Sequence, residues 1–121
     1  MYSDEIKELV WNKAHIEEGY DPNVWRQDFA GAWIKKDLLD SAKVNGWLIT
    51  TVKPISKGGT DDIKNLIPLN YNNSLKKDDN YPAFQTCISS IGKYDRHNVI
   101  QMQSWKVRYN TVKRDLSNKK I

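Results

Sequence analysis

The sequence predicts an α+β domain, and three features carry that prediction. An apolar stripe at helical spacing opens the chain, a run of four β-branched residues lies at its centre, and a glycine turn followed by a polar helical stretch comes directly after that run. A chain of 121 residues is long enough for one domain with a modest core. Residues 1–121 therefore read as a single unit, with 46–79 as its centre and 80–121 as a basic C-terminal extension.

The elements follow in order. Ser3 is placed to cap a first helix, with Asp4 and Glu5 at its positive end. Ile6, Leu9, Val10 and Ala14 make its stripe, broken by Lys13, and Gly19 supplies a stop. The segment "DPNVW" reads as a turn or a short helical start at Asp21 and Pro22. "FAGAWIKK", Phe29 to Lys36, reads as extended, with Gly31 marking a bulge or a close backbone approach. "DLLDSAKVNG" is a polar connection. "WLITTV" is the firmest strand, with Trp47, Ile49 and Thr51 on one face and Leu48, Thr50 and Val52 on the other. Pro54 and "KGGT" turn the chain, and Pro68 is placed to open a helix running to about Lys77. "AFQTCISSI" and "NVIQMQSW" read as two more strands around the loop "GKYDRH". The last segment suits a helix, with Trp105, Tyr109, Val112 and Leu116 in one stripe.

Charge and cysteine content narrow the function classes. The net charge of +4 is unevenly spread. Residues 1–34 hold three basic and seven acidic side chains, residues 35–79 eight and six, and residues 80–121 eight and two. A basic C-terminal third favours a polyanion or an acidic protein surface as partner. Cys87 stands alone, which excludes an internal disulfide and a cysteine zinc cage. No apolar stretch approaches the roughly 18–20 residues of a membrane span. The polar, acidic start predicts no signal segment, so a cytoplasmic setting is expected.

The stretch from Gly46 to Asp79 resembles the HNH (His-Me finger) endonuclease module of small stand-alone bacterial and phage proteins. The likeness extends to "VWNKA" (10–14), "YDPNVWRQDFAGAWI" (20–34) and "DDNYPAF" (78–84), and it is loose beyond Phe84. Trp47, Pro54, Gly58, Gly59, Asp61, Asn65, Leu66, Leu69, Asn73 and Lys77 match scaffold positions. The resemblance implies a β-hairpin followed by a helix, with Asn65 bracing the hairpin loop. It also implies where the chemistry of such a module sits. In the family an Asp-His pair ends the first strand, the Asp binding one divalent cation and the His deprotonating water, and a His or Asn on the helix completes the metal site. Those positions are Thr50, Thr51 and Ser74 here, and a His often found earlier on the helix is Asn70. A register shifted by one would make Asn73 the helix ligand instead.

A threonine hydroxyl does not titrate near neutral pH and cannot replace the imidazole, whose removal typically forfeits about 10²–10⁴ in rate. A hard cation needs carboxylates or substrate phosphates, and two alcohols supply no charge. Asp61 and Asp62 follow a glycine turn, where such acids cap a helix. His15, placed in the first helix, and His97, in a polar loop, lack partners at metal-ligand spacing. No metal and no cofactor is expected.

Three readings follow. The first is a catalytically inactive HNH-like protein that binds DNA, RNA or a nucleoprotein complex through Lys53, Lys57, Lys76, Lys77, Lys106, Arg108, Lys113 and Arg114. The second is a phage-type anti-defence (anti-CRISPR-like) inhibitor of a nuclease effector protein, with Tyr71, Tyr81, Tyr94 and Tyr109 as anchors if exposed. The third is a divalent-metal-dependent endonuclease with an unorthodox site.

Overall fold

The computed structural model describes residues 2–91, 95–109 and 111–116. Among these residues two α-helices accompany seven strands in antiparallel pairs, a mixed α/β arrangement. Helix α1 is Asp4–Trp11, capped by the Ser3 hydroxyl, which accepts the Ile6 N–H at 3.2 Å. It ends eight residues before Gly19, because His15 lies in extended backbone and exchanges both main-chain hydrogen bonds with Gln27. His15 is thus outside the helix in which its sequence context places it. Lys13, the break in the stripe, sends its ammonium to the carbonyls of Ile63 and Leu66, tying the end of α1 to the centre of the chain.

Strands β1 (Trp25–Gln27) and β2 (Trp33–Lys35) form a short hairpin, so only the second half of the 29–36 stretch is strand. Its turn contains Gly31 at φ +93°, where a Cβ would lie 2.7 Å from the Ser89 hydroxyl, which is the close approach expected of that glycine.

Strands β3 (Trp47–Thr51) and β4 (Leu66–Asn70) pair over five residues, and helix α2 (Tyr71–Lys77) follows without a loop. Pro68 sits in the middle of β4 rather than opening the helix. Main-chain bonds at Gly46–Tyr71 and Val52–Asn65 set the alternation, which makes Ile49–Pro68 a non-hydrogen-bonded pair. The missing proline N–H therefore removes no ladder bond. The helix starts instead at Asn70, whose side-chain oxygen accepts the Asn72 and Asn73 N–H groups.

Strands β5 (Ala83–Ser90), β6 (Asn98–Arg108) and β7 (Thr111–Arg114) form a three-stranded meander. The expected C-terminal helix is absent here: Trp105 and Val112 lie on adjacent strands and Tyr109 is at the turn. The physical reason is a period of two, with Gln103, Trp105 and Val107 buried and Lys106 and Arg108 exposed.

Two apolar clusters result. Val10, Trp11, Ala14, Ile34, Trp47 and Leu66 form one, with Ile49 packed against it. Ala30, Val52, Phe84, Trp105 and Val107 form the other. The β3–β4 ribbon contributes to both, which is why the alternation read from "WLITTV" matters. Among the described residues no helix is long and apolar enough to cross a membrane.

Candidate functional site

Asn65 closes the loop between β3 and β4. Its side chain accepts the Lys53 N–H at 2.8 Å and donates to the carbonyls of Lys53 and Thr60 at 2.9 and 2.7 Å. Gly59 permits the closure, since a Cβ there would fall 1.7 Å from the Lys53 carbonyl oxygen. Asp62 caps the 3-10 turn Ile63–Asn65 through the Lys64 N–H, and Asp61 accepts the Tyr2 hydroxyl at 3.0 Å. Both acids are held at the surface of this loop.

Thr50 and Ser74 meet. The strand end and the first turn of α2 bring their hydroxyl oxygens to 2.8 Å, with Thr50 9% exposed. Thr51, one residue on, is half-buried opposite Leu66. Two alcohols in mutual contact can each donate or accept a proton in a hydrogen bond, but neither is a base at neutral pH, and neither brings charge to a cation. Among the described residues no group of three His, Cys, Asp or Glu side chains is positioned to hold a metal ion. His15 sits 3.3 Å from Glu17, and His97 lies in an exposed loop behind Asp95.

Asn73 is not free to act as a ligand. It is fully buried and every polar atom of its side chain is engaged. The amide nitrogen donates to Asp28 Oδ2 and to the Ile88 carbonyl, and the amide oxygen accepts the N–H groups of Cys87 and Ile88. Those strand groups are exposed to Asn73 by a register shift in β5 between Thr86 and Ile88. Asp28, also buried, accepts four N–H donors, from Ala30, Ala32, Asn70 and Asn73. Burial pushes its carboxyl up to about 6, against the downward pull of those four donors. Nothing in the sequence reading singles out Asp28. The available signal was an Asp beside a tight Ala-Gly turn, together with two Asn residues three apart at a helix start.

The predicted cations divide sharply. Lys77 is fully buried, which corrects its assignment to the binding surface. Its stem fills the core, its ammonium lies 5.1 Å from the Phe84 ring centre and donates to the Asn80 carbonyl, and burial lowers its pKa. Lys53 is half-buried and turned toward the Tyr81 ring. Lys57 and Lys76 are exposed on separate elements. On the meander, Arg114 stacks on Trp105 and donates to Gln103 Oε1 at 3.1 Å. Lys106, Arg108 and Lys113 are exposed and clustered, and Lys106 is the direct cross-strand partner of Lys113. The ion pairs Lys7–Asp4, His15–Glu17, Lys35–Asp37 and Lys36–Glu8 all lie within residues 4–37, away from these three, while Asp115, two residues past Lys113, donates its main-chain N–H to the Ser104 carbonyl at the same end of the hairpin.

Toward the other end of the β5–β6 pair, six residues along β6 from Lys106, runs an apolar groove of about 410 Å³, lined by Asn72, Leu75, Lys76, Cys87, Ile88 and Ile100. The sequence reading did not find it, because its walls come from α2, β5 and β6. Of the tyrosines, Tyr109 is fully exposed, Tyr71 and Tyr81 are half-buried, and Tyr94 lies outside the described residues. Compared with known proteins, the chain matches no family model, no curated protein and no solved structure.

Proposed function

We propose that this chain is an HNH-like protein without catalytic competence, which holds a nucleic acid, free or within a nucleoprotein complex, on its basic C-terminal sheet. The observation that carries the reading is the cross-strand pair Lys106–Lys113, with Arg108 two residues along β6 and all three side chains exposed. Like charges directly opposite on an antiparallel pair destabilise it. Cations on an edge strand discourage aggregation, which accounts for Lys113 and Arg114 on β7. That explanation does not reach Lys106 and Arg108, which lie on the central strand β6. A row of phosphates reverses the sign of the repulsion. The neutral Thr50–Ser74 pair, at the positions where the resemblance puts the reagents, supports binding without cutting.

Binding to random DNA and RNA from about 50 to 200 mM salt tests this. Affinity is expected to fall steeply with salt, and the triple change Lys106→Gln, Arg108→Gln, Lys113→Gln is expected to flatten the slope by about one per charge removed. Flat, negligible binding by the unaltered protein would sink the reading. The groove walled by Leu75, Ile88 and Ile100 favours a second reading, a nuclease effector protein as partner, and that outcome would then lead. Incubation with plasmid DNA or RNA in Mg²⁺, Mn²⁺ or Ni²⁺ is expected to give no cleavage. Cleavage lost on changing Thr50 or Ser74 would restore the enzyme.

A further inference from the structure

We infer that the nucleic acid held by the β6–β7 hairpin is single-stranded, with Tyr109 as the platform on which an unpaired base stacks. This rests on the binding reading above and deepens it. Arg108 and Thr111 are the last paired residues, so Tyr109 is the first residue of the hairpin turn. It adopts φ +51°, the left-handed region that Gly, Asn and Asp enter readily and an aromatic residue does not. It is also 100% exposed. In the free protein the ring therefore gains nothing from packing, while its backbone carries strain. A residue of this kind, in the least favourable place for it, is explained by what it touches when bound.

Tyr109 follows Arg108 directly, and Lys106 and Lys113 lie three and four residues away along the chain. Cations that track a backbone, plus an aromatic face for a base, are the two components of single-strand recognition. A duplex fits less well. Trp105 and Val107 are buried in the core with Val112 packed against them, so Tyr109 is the aromatic residue of this hairpin that is exposed to meet a base. The bases of a duplex are stacked on each other and present no face to a tyrosine.

The test is fluorescence anisotropy with labelled oligonucleotides of about a dozen nucleotides, single-stranded and duplex, across the same salt range. Tyr109→Ala is expected to weaken single-strand binding by about 5- to 100-fold, leaving duplex affinity and the salt slope unchanged. Tyr109→Phe is expected to retain the affinity. The full exposure of the side chain keeps both variants folded. Single-strand affinity unmoved by Tyr109→Ala, or a preference for duplex, overturns this inference while leaving the charge-based reading in place. Absence of salt-dependent binding to any strand overturns both.

Discussion

Asn73 and Ser74 are neighbours on helix α2, and each reaches a polar residue delivered by another element, yet the two sites differ in kind. Asn73 meets a buried carboxylate and three main-chain groups of β5, with every donor and acceptor satisfied. Ser74 meets one threonine hydroxyl. Through Asn73 the helix holds the buried Asp28 carboxyl against the scaffold, where it locks the 28–32 turn, the hairpin and the meander together. The side that faces the hairpin end holds uncharged groups that bond to each other. Strong electrostatics in this molecule mark what holds the fold, and the chemistry-bearing positions of the resemblance are electrostatically quiet.

The largest expected effect separates the two sites directly. Asn73→Ala removes a donor from Asp28 and orphans the N–H groups of Cys87 and Ile88 and the Ile88 carbonyl. A buried network broken at one member costs about 3–5 kcal/mol. Against a total stability of about 5–15 kcal/mol, the urea midpoint is expected to collapse or folding to fail. Ser74→Ala, one residue away, is expected to shift that midpoint only slightly. Equal losses for the two variants would erase the distinction.

Asp28 sharpens the same comparison through pH. Its carboxyl binds a proton more tightly in the folded protein, at about 6 against an ordinary 3.8. The contribution to stability is therefore full below the ordinary value and is lost as pH rises through about 6. A shift of that size corresponds to about 3 kcal/mol. Urea unfolding from pH 4 to 7 is expected to show the wild-type protein losing stability relative to Asp28→Asn. The Asn variant is less stable throughout, because its amide NH₂ faces N–H donors on one side. A relative gain with rising pH would show the four donors outweighing burial, and the carboxylate would then be a permanent anion.

The same contrast shows what can be read from residues alone. Strand β3 was legible because four β-branched residues in a row have few alternatives, and Gly31 because a close approach leaves no room for a Cβ. The C-terminal strands were obscured by coincidence. Trp105, Tyr109, Val112 and Leu116 satisfy a helical stripe, while Trp105 and Val107 alternating with Lys106 and Arg108 satisfy a strand. Pairing across the turn decides between them, and pairing is not local. Lys77 reads as a surface charge, and nothing marks Asp28, because charge is the default at the surface. Lys77 is covered by Asn80 and Phe84, which lie beyond the end of its helix and fold back over it, and Asp28 is held by Asn70 and Asn73, 42 and 45 residues away. Thr50 and Ser74, 24 residues apart, were linked only by the resemblance, and it is the Asn70 cap that sets the helix phase bringing Ser74 around.

The smallest expected effect falls on that pair. Thr50→Val keeps the shape and the β-branching of the strand and deletes one hydroxyl. Ser74 is only half-buried, so water can replace the lost partner. A neutral hydrogen bond contributes about 0.5–1.5 kcal/mol net, and the added apolar contact of the valine offsets part of it. Stability within about 1 kcal/mol of wild type is therefore expected, measured by the same urea titration, with unchanged affinity for the oligonucleotides. The result matters because a hydroxyl used to hold a scissile phosphate or a cation behaves otherwise. If Thr50→Val lowered nucleic-acid affinity while leaving the fold intact, the hydroxyl would have to face the ligand rather than Ser74. The quiet site would then be a binding site, and the contrast between neighbouring residues of α2 would become one between two kinds of function.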